Sequence, residues 1–111
     1  MILAEKHCVP CEGKVAPLVE DEENALLKEI PEWQINRELI HKLTRDLKFK
    51  NFKKAIGFVL EVARIAETEG HHPDIHIYYS RVTIELYTHA ILGLSENDFI
   101  MASKIDAISA D

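Results

Sequence analysis

The stretch from Glu67 to Asp98 concentrates side chains suited to moving protons: Glu67, the pair His71-His72 before Pro73, Tyr79, His89 and Asp98. Imidazole titrates near neutrality, with an unperturbed pKa of about 6.5. General acid–base catalysis works best when the group's pKa lies near the working pH. Neighbouring imidazoles repel each other's protons, so one stays neutral while another is charged, and one residue type then supplies both acid and base. Adjacent loop residues do not point the same way, so His71 and His72 are expected to play unequal parts. A carboxylate beside an imidazole raises its pKa and orients the ring, which is the part open to Glu67 and Asp98.

The same residues also admit plainer readings. Two histidines before a proline fit a simple helix-exit turn, and three histidines fit a zinc site. Asp98 stands three residues after Ser95, where a capping carboxylate belongs. Glu67 fits a solvated helix position, and Tyr79 a core or edge aromatic. Cys8-Val9-Pro10-Cys11, with His7 beside it, is half of a zinc site at best, because structural zinc takes four ligands. A redox pair of this spacing belongs between a strand and a helix, whereas this one lies in a segment bearing Pro10, Gly13 and Pro17. The expectation is that Cys8 and Cys11 have no functional role, with a metal, turn or redox role as alternatives.

The elements that must position these residues follow from periodicity and punctuation. Residues 1–20 show no clean period and read as an irregular N-terminal arm, with 21–111 as one domain. A short helix is expected over 21–29, with acids at its start as the helix dipole favours; Pro31 ends it. Trp33-Gln34-Ile35 reads as a short strand and Glu38–Leu47 as a longer one. Asn51 is an N-cap for a long helix whose apolar stripe is Phe52, Ala55, Ile56, Val59, Leu60, Ala63 and Ala66. Gly57 within it points to close packing there. Gly70 ends the helix at C′ and Pro73 prevents its resumption, which leaves His71 and His72 on the exit loop.

Ile75–Tyr79 and Val82–Thr88 read as a hairpin turning near Ser80-Arg81, with Val82, Ile84 and Leu86 on its buried face. His89 lies just past that last strand. If strand and long helix pack together, the exit loop and the strand end open on one edge, and the three imidazoles can line one pocket. Ser95-Glu96-Asn97-Asp98 starts a final helix that buries Met101, Ala102, Ile105 and Ile108. The result is an α+β domain, a four-stranded antiparallel sheet with helices on one face.

Composition narrows the function classes. A chain of 111 residues with 47% apolar and 29% charged residues is a globular chain with a modest core. Its net charge of -6 argues against direct nucleic-acid contact. The basic stretch Lys48, Lys50, Lys53 and Lys54 is expected to be a solvated face. No apolar run reaches the roughly 20 residues needed to span a bilayer, and no signal-peptide core is seen, so no membrane partner and a cytoplasmic location are expected.

The spacing Glu67-x3-His71-His72-Pro73-x5-Tyr79-x9-His89-x8-Asp98 resembles the signature of the pterin-4a-carbinolamine dehydratase family. The resemblance extends to Trp33, Phe49-Lys50-Asn51-Phe52, Ala55, Gly57-Phe58, Thr88-His89 and Gly93-Leu94-Ser95, and covers roughly Leu26 to Ile108. It implies the four-stranded fold, a homodimer or homotetramer, and removal of water from the 4a-hydroxytetrahydropterin left by aromatic amino acid hydroxylases. The product is a quinonoid dihydropterin, which a reductase returns to the tetrahydro form. Neither proton transfer needs a redox cofactor or a Lewis acid, so no cofactor and no metal are expected.

The family's catalytic histidines fall on His71, His72 and His89, and its pterin contacts on Gly70 and on Tyr87-Thr88-His89-Ala90. His71 and His89 are expected to transfer protons and His72 to orient the pterin, with Glu67 and Asp98 in support. Gly70 stands where some relatives carry an acidic residue, and Tyr87 where a small hydroxyl residue is common. Three other functions fit the resemblance or the residues: a dimerization cofactor for a homeodomain transcription factor, a metal-dependent enzyme, and a molybdopterin-related paralogue.

Overall fold

The computed structural model describes residues 3–9 and 16–108. Cys11 and Gly13, with part of the stretch 1–20, lie outside the described residues. Three helices, α1 (Glu20–Leu27), α2 (Phe52–Glu69) and α3 (Glu96–Asp106), accompany four strands, β1 (Gln34–Asn36), β2 (Lys42–Lys48), β3 (Asp74–Tyr78) and β4 (Arg81–Leu86). The strands form one antiparallel sheet in the order β1-β2-β4-β3. This is the α+β fold that the periodicity implies.

Strand alternation decides the sheet's two faces. Val82, Ile84 and Leu86 on β4 are fully buried, and the register sets them across from Leu47, Arg45 and Leu43 on β2. Each such aliphatic side chain contributes about 1.5–3 kcal/mol on burial. Arg45 is the polar member of this face and ends in an ion pair with Asp106, which also accepts from the Trp33 indole N–H at 2.8 Å. The other face is polar: His76 meets Glu85 at 2.9 Å, and Thr83 donates to Asp46 at 2.5 Å.

β2 starts at Lys42 rather than at Glu38. Residues 38–40 bend instead, with Leu39 exposed. Asn36 Oδ1 accepts the Glu38 amide at 3.0 Å, and Arg37 and His41 turn back onto the buried Glu23 carboxylate at 3.0 and 2.8 Å. A buried charge has to be paired, and that demand overrides the alternation through Ile40.

Asn51 caps α2 by accepting the Lys54 amide at 2.9 Å. The helix is amphipathic as expected, but its buried positions are Ala55, Phe58, Val62 and Ala66. Phe52 and Leu60 of the expected stripe face outward. Gly57 is exposed and an added Cβ would meet nothing within 4 Å, so the close packing expected there is absent. Gly70 ends the helix in the left-handed region at φ 68°. α3 is buried on several sides, with Phe99, Ile100, Met101, Ala102 and Ile105 all in the core. One of its covers is the N-terminal segment, where Leu3–Glu5 form a 3-10 turn and Leu3 enters the core. Lys48, Lys50, Lys53 and Lys54 are exposed.

The two glycines of α2 make opposite predictions. Gly70→Ala puts a side chain at positive φ and is expected to lower unfolding free energy by about 1 kcal/mol. Gly57→Ala replaces a mid-helix glycine in open space and is expected to raise it by about 0.5–1 kcal/mol. Urea denaturation of both variants reads the two signs; equal signs would contradict these backbone assignments.

Candidate active site

α2 exits through Gly70 into His71 and His72, while β4 runs through Tyr87 into Thr88 and His89. Because α2 packs on β4, these two exits open on one side of the molecule. A cavity of about 500 Å³ lies between them, lined by Gly70, His71, His72, Thr88, His89 and Ala90 among others. The three histidines therefore share one cavity.

Asp98 anchors this arrangement from behind. Its carboxylate is fully buried, and both oxygens are engaged. Oδ1 lies 2.6 Å from His71 Nε2; Oδ2 accepts from the Thr88 hydroxyl at 2.8 Å and from the Ser95 amide at 3.0 Å. A carboxylate only accepts, so His71 Nε2 carries the hydrogen and Nδ1 is the acceptor of the neutral ring. Asp98 thus caps α3 and orients His71 with the same group. The Thr88 hydroxyl, 2.7 Å from Ser95 Oγ as well, is spent on this network rather than on the cavity.

His71 and His72 are unequal. The His71 side chain is 12% exposed and its partner Asp98 fully buried, whereas His72 is 60% exposed and its partner Glu67 78%. The His72 Nε2–Glu67 Oε2 pair, at 2.5 Å, is screened by solvent and fixes little energy. His89 is exposed and stacks on Tyr87, ring centroids 4.2 Å apart at 22°. Lys42 Nζ sits 5.0 Å from the centre of the Tyr87 ring, a cation–π arrangement. Tyr87 reaches the cavity only through His89. Tyr79 does not reach it: this tyrosine is exposed in the β3–β4 turn at φ 56°. Among the described residues, no group of three or more His, Cys, Asp and Glu side chains converges to hold a metal ion, and no helix is long and apolar enough to cross a membrane.

Four further residues line the cavity: Cys8, Val9, Glu69 and Asn97. Their contacts join positions 61 to 89 residues apart, and no local pattern places them here; the Cys8-Val9-Pro10-Cys11 spacing marks Cys8 without pointing to this cavity. Glu69 Oε1 accepts the Cys8 amide at 2.8 Å, and Oε2 lies 2.9 Å from His7 Nδ1 and 3.7 Å from Lys104 Nζ. Burial pulls the Glu69 carboxyl upward, but the hydrogen bonds from Cys8 and His7 and the Lys104 charge outweigh it and leave it below the usual carboxylate range. The Cys8 thiol is pushed up to about 12 by burial first, then by the Glu69 and Asp98 charges, against a lowering pull from Lys104. Its Sγ lies 3.6 Å from the Asn97 carbonyl oxygen. The thiol is therefore protonated at neutral pH, unlike a redox or metal-ligating cysteine. Iodoacetamide at pH 8 is expected to label Cys8 at least about 100-fold more slowly in the folded protein than in urea. Peptide mapping separates it from Cys11, and equal folded and unfolded rates would contradict the burial.

The model of the family described as pterin 4 alpha carbinolamine dehydratase matches residues 16–108. A provisionally named pterin-4-alpha-carbinolamine dehydratase of Rickettsia canadensis is 50% identical over 107 residues, covering 96% of each chain. One of Halorhodospira halophila, named in the same way, is 44% identical over 110 residues, 99% of this chain and all of the relative. The crystal structure of a transcriptional coactivator/pterin dehydratase from Brucella melitensis superposes with a TM-score of 0.76 at 38% identity, covering 82% of this chain and 96% of that one. With the match running through both histidine-bearing exits, the chain belongs to the pterin-4-alpha-carbinolamine dehydratase family.

Proposed function

We propose that this chain dehydrates 4a-hydroxytetrahydropterins by histidine acid–base catalysis. The observation that carries the reading is a cavity shared by His71, His72 and His89, with His71 fixed by a buried carboxylate. A volume near 500 Å³ is in the range of small-molecule sites and suits a two-ring heterocycle.

The reaction asks for two proton moves. One imidazole, protonated, gives its proton to the 4a-hydroxyl; the C4a–O bond breaks and water leaves. The other, neutral, takes the proton from N5, and the electron pair of that N–H bond forms the C4a=N5 double bond of the quinonoid dihydropterin. His71 and His89 make these transfers. His72, more exposed and loosely paired, orients the pterin. Glu67 steadies His72, Asp98 steadies His71, and Gly70, Tyr87, Thr88 and Ala90 shape the site around the ring. The setting is tetrahydrobiopterin recycling in the cytoplasm, by a homodimer or homotetramer with a pterin substrate and no nucleic-acid partner.

A stopped-flow dehydration assay with synthetic 4a-hydroxytetrahydrobiopterin, EDTA present, tests the proposal. His71→Ala and His89→Ala are expected to lower kcat by about 10²-fold or more. His72→Ala is expected to act mainly on KM, and EDTA to leave the wild-type rate unchanged. Near-normal rates in all three variants, or loss of activity on chelation, would overturn it.

A further inference from the structure

One wall of the cavity comes from a part of the chain that the histidine signature does not include. Residues 8 and 9 are held there by two side chains. The Asn97 amide brackets Val9: its Oδ1 accepts the Val9 N–H at 3.0 Å, and its Nδ2 donates to the Val9 carbonyl at 2.6 Å. That occupies both backbone groups of Val9, as a neighbouring strand would. Glu69, only 4% exposed, takes the Cys8 amide. Upstream, Leu3 is buried in the core, Lys104 donates to the Ala4 carbonyl at 2.9 Å, and Lys6 pairs with Glu96 at 2.8 Å. Both ends of residues 3–9 are thus fastened along α3 and the end of α2.

The chemistry of the wall follows from what these bonds leave over. The amides of residues 8 and 9 and the Val9 carbonyl are engaged by protein partners. What remains is the Cys8 carbonyl, the Val9 side chain, 67% exposed, and an uncharged thiol whose sulfur lies 3.6 Å from the Asn97 carbonyl oxygen. The cavity's other residues include the imidazoles of His71, His72 and His89. Small-molecule sites pair apolar surface with a few placed polar groups, and a flat heterocycle needs both kinds of contact.

We propose that Cys8 and Val9 form the apolar wall against which the pterin ring packs, and that Asn97 and Glu69 are positioning residues that hold this wall in place. The proposal rests on the dehydratase reading above. It assigns binding, not proton transfer, to the N-terminal segment. Val9→Ala removes two methyl groups from an exposed side chain, so the fold is kept while the wall recedes. Loss of that contact corresponds to about a 5- to 10-fold weaker complex. Asn97→Ala frees the Val9 backbone and is expected to weaken binding about 10-fold or more. Glu69→Ala follows the same direction, while Glu69→Gln, which still accepts from the Cys8 amide, stays within about threefold of wild type.

The test is calorimetric titration of 7,8-dihydrobiopterin into the full chain and its variants, with turnover of 4a-hydroxytetrahydrobiopterin measured alongside. Support is a raised Kd and KM in Val9→Ala, Asn97→Ala and Glu69→Ala, with kcat within about threefold and Glu69→Gln near wild type. Unchanged Kd in Val9→Ala and Asn97→Ala, while the wild type binds, overturns the wall and leaves the dehydratase reading standing. A fall in kcat at constant Kd also overturns it, because the effect then passes through the adjoining Asp98. Failure of the wild type to bind or turn over either pterin overturns both. Should Asn97→Ala not fold, Val9→Ala decides alone.

Discussion

The burial of one carboxylate organises this protein. Asp98 is inaccessible to solvent, and a carboxylate in that position is tolerated only with its hydrogen-bonding capacity filled. The partners that fill it come from three places: His71 from the exit of α2, Thr88 from the end of β4, and Ser95 from the start of α3. Satisfying Asp98 therefore pulls the two histidine-bearing exits to the helix that caps them. The cavity lies where these segments meet. The stability of the α3 start and the orientation of His71 are consequences of the same set of bonds.

Around that centre the molecule divides its labour between a rigid half and a fastened one. Sheet and helices share an apolar core built on Leu43, Leu47, Val82, Ile84 and Leu86 from the strands and on Phe58, Val62, Phe99 and Met101 from the helices. That core fixes where α2 and β4 end. The N-terminal residues add little to it beyond Leu3, and they are held instead by hydrogen bonds to Glu69, Asn97 and Lys104. The cavity has one side set by packing and one side set by polar fastening.

How much of this the sequence discloses depends on the range of each interaction. Local rules carried far: the Asn51 cap, Gly70 at positive φ, the buried alternation of Val82, Ile84 and Leu86, and the Ser95–Asp98 spacing are each decided within a few residues. They sufficed for the fold class and for bringing the histidines to one edge. Period alone does not fix phase: α2 buries Phe58 and Val62 and leaves Phe52 and Leu60 outside, because the helix's rotation is settled by what it packs on. The start of β2 at Lys42 is not legible locally, because the Glu23 charge that draws Arg37 and His41 away from the strand lies well before it in sequence. The cysteine spacing marks Cys8 without pointing to this cavity, and Val9, Glu69 and Asn97 carry no signal, since their contacts join distant positions through a few polar groups. Asp98 was legible as a cap and as an orienting carboxylate, and the geometry makes these one role.

The most direct test of the account is the dehydration rate of Asp98→Asn, measured by stopped flow beside its melting temperature. Asparagine is isosteric and keeps an acceptor for Ser95 and Thr88, but its amide donates to His71 Nε2 and so reverses the imidazole's tautomer. The same exchange in a serine protease triad leaves the geometry intact and costs about 10⁴ in kcat. The account predicts a folded protein whose kcat falls by about 10²-fold or more. A folded Asp98→Asn variant that dehydrates the pterin within twofold of wild type would contradict it.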